Sequence, residues 1–271
     1  MDDGTLAIDV SNTHTSLGLW RGSEHPLAWK IASDPARTAD EHRVLITQLL
    51  ERDGVAPQDV SSCVIGCVVP ELAGTVEQVC RELFDVEPLV VRPGVHSGLP
   101  IRTDNPRELG ADRIANAVAA RERFGAPVIV LDFSTALTLD VVGPDGAYVG
   151  AVIAPGLGIA AEALSRRAAR IGSTELVAPP SAIGRDTDHG LQSGLVFGYV
   201  GLIEGLVRRV REEIGADAPV VATGDEHWLQ ALLGQTDVID AYEPLLTLDG
   251  LRRIHERHTA ADRGTERAPA G

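Results

Sequence analysis

The chain has 271 residues, 44% hydrophobic and 23% charged, which is the composition of a well-cored soluble protein of one large or two ordinary domains. A formal net charge of −15 with a pI near 4.9 lacks the basic footprint that nucleic acids or anionic membranes require, so neither partner is expected. The start, "MDDGTLAID", is acidic and lacks a long apolar stretch, so no signal peptide is expected and the predicted location is cytoplasmic.

The elements alternate in type along the chain. "LAIDV" (6–10) and "TSLGLW" (15–20) read as a hairpin, and "TADEHRVLITQLLERDG" (38–54) as a helix with an acidic first turn and a glycine stop. "SSCVIGCVVP" (61–70) is a buried strand, "ELAGTVEQVCRELF" (71–84) a helix and "EPLVVRP" (87–93) a strand. Asn105 and Pro106 open a helix over "NPRELGADRIANAVAARERFG" (105–125). Residues 127–156 give three short strands, the last two joined by "GPDG". Helices are predicted at 159–171 and 189–215, a strand at "APVVATG" (218–224), a helix at 226–234 and a closing helix at 246–258. The tail, 259–271, reads as disordered. Cys63, Cys67 and Cys80 are predicted to be plain thiols, because no second Cys/His pair completes a zinc set. The run 191–207 carries Gln192 and Glu204 and is short for a bilayer span.

One pattern occurs twice. "LAIDVSNTHTSLGL" has an echo in "VIVLDFSTALTLDVV", each running strand, aspartate, apolar residue, serine, polar residue, strand. Asp9 and Asp132 end their strands about half the chain apart, which points to a duplicated α/β fold. A carboxylate followed by small polar residues suits a hairpin turn, and equally a metal-bound phosphate chain. A single lysine, Lys30, and the lack of G-x-x-x-x-G-K-[ST] exclude a P-loop, and the protein-kinase lysine and catalytic loop are absent too. "GLGIAA" fits G-x-G-x-x-A without the following strand-end acid of a dinucleotide site. Gly190, Gly194, Gly198 and Gly201 form a small-residue stripe suited to close helix packing, as across a dimer interface.

The segments "IDVSNT", "VVPEL", "DNPRELGADRIANAVAA", "VLDFSTALTLDVV", "YVGAVIAPGLGIAAEAL", "IGRDT", "QSGLVFGYVGLIEGL" and "LTLDGLRRI" together resemble the type III pantothenate kinases, nearly end to end. The resemblance implies two ribonuclease-H-like domains of the actin-like ATPase class, with an interdomain nucleotide cleft and a homodimeric assembly. The expected boundaries are 1–115 for the first domain and 116–258 for the second. The implied reaction is ATP-dependent phosphorylation of the primary hydroxyl of pantothenate, with Mg2+ and a monovalent cation, K+ or NH4+. By the same resemblance Asp9, Val10, Ser11, Asn12 and Thr13 form the first phosphate turn, with Asp9 a metal ligand. Ser134 and Thr135 belong to the second turn, Gly224 lies near the nucleotide, and Asp132 holds the monovalent cation. Gly110, Ala111, Asp112 and Arg113 match the pantothenate motif, with Asp112 as catalytic base, and Thr103 and Thr187 match substrate-contacting positions. Glycine is usual in the family where Ser11, Ser134 and Asp225 stand, so a tighter, strained cradle is expected here. A kinase of another hydroxylated substrate and a non-catalytic ligand-binding relative are the alternative readings.

Overall fold

The computed structural model describes residues 4–22, 25–92, 94–167 and 175–266. The alternating strand residues of the first third form β1 (Gly4–Val10), β2 (His14–Trp20), β3 (Leu27–Ala32), β4 (Val60–Cys67) and β5 (Leu89–Val90). They make one sheet in the order β3-β2-β1-β4-β5, antiparallel through the hairpins and parallel from β1 to β4 to β5. Helix α1 (Ala39–Arg52) starts at a reciprocal cap between Thr38 and Glu41, and α2 (Pro70–Phe84) starts with a proline whose missing N–H costs nothing there.

The second part repeats the plan. β6 (Val128–Phe133), β7 (Ala136–Val142), β8 (Tyr148–Pro155), β9 (Val220–Gly224) and β10 (Ala241–Tyr242) lie in the order β10-β9-β6-β7-β8, with the same antiparallel and parallel pairings. β6 therefore corresponds to β1 and β9 to β4, and Asp132 is the next-to-last residue of β6 as Asp9 is of β1. Helices α3 (Ala111–Phe124), α4 (Leu157–Arg167), α5 (Thr187–Ile214), α6 (Glu226–Gln230) and α7 (Leu246–Glu266) complete the set. The apolar α5, capped by Asp186 and ended by Gly215, sends Leu195, Val196, Ile203 and Val207 into the core beneath the second sheet.

Two units result. The first takes residues up to Leu99, Asp104–Ala119 and the chain from Leu245 onward; the second takes Pro100–Thr103 and Ala120–Pro244. The expected boundaries therefore need correction at the C-terminal end. α7 packs on β1, β2 and β4 of the first unit, because its apolar stripe Leu246, Leu248, Leu251 and Ile254 is buried there. It also runs through to Glu266, so helix replaces most of the tail expected to be disordered; residues 267–271 lie outside the described residues. Further differences are local. β3 and β10 were not predicted, the strand at 87–93 shrinks to β5, and the helix at 226–234 to α6. The helix predicted from 105 breaks into a 3₁₀ turn at Pro106–Glu108 and then α3, with Leu109 and Gly110 at the break. The last residues of the helix predicted at 159–171 fall outside the described residues.

The two faces of the first sheet differ. Leu6, Ile8, Val10, Leu17, Leu19, Trp29, Cys63 and Ile65 join α1 and α2 residues in one core. The alternate residues face α7, where Gly18 meets Leu248 and Gly66 meets Leu251. Gly250 on α7 sits so close to α3 that a Cβ would strike the Ala115 carbonyl. Gly250→Ala is expected to destabilise the protein by about 1–3 kcal/mol through overpacking, read as a lower urea midpoint at unchanged m-value.

Candidate active site

Asp9 is the next-to-last residue of β1, and its cross-strand neighbours are Ser16 on β2 and Gly66 on β4. Because Gly66 has no side chain, Ala111 at the start of α3 comes up beside it; a Cβ on Gly66 would lie 3.5 Å from that of Ala111. Asp112 thereby stands close enough to repel the Asp9 carboxylate. Burial first, and then this repulsion, push Asp9 up from 3.8 to about 7, while the Ser11 hydroxyl and Lys30 pull the other way. Ser11 Oγ donates to Asp9 Oδ2 at 3.0 Å; Asp9 Oδ1 is buried with no partner. An unpartnered carboxylate oxygen beside a second carboxylate is of the chemistry that suits a hard cation. No cluster of three or more His, Cys, Asp or Glu exists among the described residues, so Mg2+ at Asp9 would take its remaining ligands from water and phosphate.

Asp112 is held by its own helix start. The backbone N–H of Arg113 donates to Asp112 Oδ1 at 2.8 Å, and burial outweighs this bond and the Arg113 charge, so its carboxyl is raised. Gly110 makes room for that pose, since a Cβ there would collide with Asp112 Oδ1. One turn on, buried Asn116 accepts a 2.8 Å hydrogen bond from Thr247 of α7, which ties this helix start to the closing helix. Asn12 is exposed and Val10 faces the core, while Ser11 N–H donates to the His14 carbonyl at 3.0 Å and shapes the turn.

The second unit gathers Asp132, Ser134, Thr135 and Gly224. Asp132 pairs with Thr138 on β7 and Thr223 on β9. Ser134 sends both its N–H and its hydroxyl to the Ala136 carbonyl, each at 3.1 Å. Gly224, with φ of +103°, and Gly156 pack against the carbonyls of residues 133–135, where a Cβ on either would clash. Asp225 caps α6 and donates its N–H to Phe133 O at 2.6 Å. Neither Ser11 nor Ser134 has positive φ, so the expected backbone strain is absent and glycine is not needed at either place. Thr103 and Thr187 also fall in this unit; the Thr103 hydroxyl is buried with no partner, and Thr187 is exposed at the first turn of α5. Cys63 and Cys80 are buried free thiols, and Cys67 is half-buried near Asp9 and donates to the Val69 carbonyl. Lys30 near Asp9 was missed, because nothing in the local pattern marks β3 as part of the site.

Residues 5–209 match the family model described as type III pantothenate kinase. The chain is 47% identical over 251 residues to the type III pantothenate kinase of Roseiflexus sp. (strain RS-1), covering 93% of this chain and 98% of that one. It is 46% identical over 262 residues to type III pantothenate kinase 2 of Symbiobacterium thermophilum, covering 96% and 98%. The chain belongs to the type III pantothenate kinase family. It is a small-molecule kinase. Solved structures with its fold include a Baf-family protein of Campylobacter jejuni (TM-score 0.59, 19% identity, 94% and 99% covered). MreB 5 of Spiroplasma citri, solved with AMPPNP, follows at TM-score 0.50 and 8% identity, with 97% and 98% covered. The kinase thus has the duplicated actin-like ATPase architecture.

The raised Asp9 carboxyl has a consequence for stability. The folded kinase holds this proton more tightly than the unfolded chain, so the contribution is full below about pH 4 and is lost as pH rises through about 7. Asp9→Asn removes that penalty: without metal, its advantage in Tm over wild type is expected to be small at pH 4.5 and to grow towards pH 8. A constant difference across scanning-calorimetry runs at both pH values contradicts the assignment.

Proposed function

We propose that the kinase transfers the γ-phosphoryl group of ATP to the primary hydroxyl of pantothenate, giving 4′-phosphopantothenate at the entry to coenzyme A synthesis. The observation that carries this reading is the Asp9–Asp112 pair of the first unit: one carboxylate with a free buried oxygen, the other on the first turn of α3. Phosphoryl transfer asks little covalent chemistry of a protein and much positioning and charge compensation. Mg2+, held at Asp9, supplies charge neutralisation on the phosphates. Asp112 is the general base; burial lifts its carboxyl, which brings it nearer the pH at which it both stays ionised and accepts the hydroxyl proton. Arg113 pairs with the pantothenate carboxylate, for which a guanidinium fork is well shaped. Gly110 and Ala111 keep that helix start free of bulk, and Thr103, with its orphaned hydroxyl, and Thr187 contact the acceptor. In the second unit the turn of Ser134, Thr135 and Gly224 takes the nucleotide, and Asp132 takes K+ or NH4+ through oxygen.

The reaction and the acceptor are tested together by ADP release with pantothenate, Mg2+ and K+. Asp112→Asn is expected to lower kcat by about 10²–10⁴-fold with an unchanged melting curve. An undiminished rate removes Asp112 as the base, and turnover with other hydroxylated acids but not pantothenate replaces the acceptor.

The kinase acts as a cytoplasmic homodimer, without nucleic-acid or membrane partners. Supporting the dimer, Gly190, Gly194, Gly198 and Gly201 line the exposed side of α5 with open space beyond each, and Ile153 on β8 is 65% exposed. Gly198→Glu is expected to shift the mass by light scattering from dimer to monomer while helix content holds; a dimer of unchanged mass excludes this face.

A further inference from the structure

The proposed nucleotide site has a member that lies far from its motifs in sequence. β3 pairs with β2 so that Lys30 stands opposite Ser16, and β2 pairs with β1 so that Ser16 stands opposite Asp9. Directly opposed residues in a sheet point to the same face, so Lys30, Ser16 and Asp9 form one row, with Gly66 continuing it on β4. Lys30 and Asp9 are two strand spacings apart, roughly 10 Å between Cα atoms. On this face Lys30 has Ser16 directly opposite, Ala28 and Ala32 on its own strand, and His14 and Gly18 on β2 to either side of Ser16. Within the row, the small Ser16 is the one residue between the lysine and the carboxylate, and the lane between them runs over it.

The far end of that lane is Asp9, only 8% exposed, with its Oδ1 unpartnered. Asp112 flanks it on the α3 side and Lys30 on the β3 side, and both are felt electrostatically by Asp9. Lys30 itself is exposed and is ion-paired to no carboxylate among the described residues. A polyphosphate brought to Asp9 meets two carboxylates there, so binding needs cationic charge beyond the divalent ion. Lys30 is a basic side chain in the same row as Asp9 and can give it, as a mobile point charge on a flexible stem.

We infer that Lys30, the only lysine of the chain, contacts the terminal phosphates of the nucleotide through the lane over Ser16. This rests on the kinase reading of the Asp9 corner. The contact extends the phosphate site from the turn at residues 9–13 to a strand that the motifs do not include, and it makes Lys30 a ligand-binding residue and not a structural one.

The test uses equilibrium binding to the full-length protein, apart from turnover. By calorimetry, Lys30→Gln is expected to weaken MgATP about tenfold or more, as for a lost charge-assisted hydrogen bond, and to leave pantothenate within twofold. Lys30→Arg is expected to restore most of the MgATP affinity. Because the chain has one lysine, acetylation by an amine-reactive ester, read by mass spectrometry, reports on Lys30 alone beside the N-terminus; MgATP should slow it and pantothenate should not. Unchanged MgATP affinity in Lys30→Gln, equal loss of both ligands, no rescue by arginine, or no protection by MgATP overturns the assignment. A wild-type protein that binds no MgATP at all instead overturns the nucleotide reading of the corner itself.

Discussion

A carboxylate buried at the end of a strand, beside a second carboxylate, is the constraint from which the rest of the first unit follows. Asp9 would be relieved by an exposed turn, yet β1 is the central strand of its sheet, and α7 and the start of α3 cover the face it points to. Burial and the approach of Asp112 both raise its carboxyl, and only Ser11 and Lys30 oppose them. A corner with that balance is costly in itself and is the kind that positive charge relieves. The protein spends folding stability there, and the glycines at 66 and 110 are what let the two acidic groups come together at all.

The duplication places the same device twice on one plan. Strand orders β3-β2-β1-β4-β5 and β8-β7-β6-β9-β10 are the same path, with an aspartate one residue from the end of each central strand. This much was legible in the sequence, because the strand–Asp–turn–strand unit is local and its periodicity survives without any partner. The route of α7 was not legible. Its stripe of Leu246, Leu248, Leu251 and Ile254 announces an amphipathic helix but not which sheet receives it, since apolar surface is not addressed to a partner by composition. Gly250 against the Ala115 carbonyl settles that choice through shape, a contact between positions more than a hundred residues apart.

The site shows the same division between local and distant information. Asp9, Ser11, Gly110 and Asp112 lie in short motifs and could be read in place. Lys30 could not, because the alternation of "LAWKIA" in edge strand β3 says which residues share a face but not which strand they pair with, and its relation to Asp9 exists only through two successive registers. A one-residue slip in either pairing would turn the lysine to the opposite face, toward the core of Trp29 and Leu17. The register of an edge hairpin thus decides whether Lys30 shares a face with Asp9.

The two serines that replace the family's glycines show how the duplicated corners have parted. Room was the expected difficulty, but neither serine occupies the left-handed region, so the turns close without the freedom that glycine confers. What each hydroxyl does then differs. Ser11 donates to Asp9 and favours its ionised form, countering part of the burial that raises it. Ser134 donates to the Ala136 carbonyl, two residues on, and stiffens its own turn. The side chain that glycine lacks therefore acts in the first unit on charge and in the second on backbone shape, from the same position in the same repeated unit.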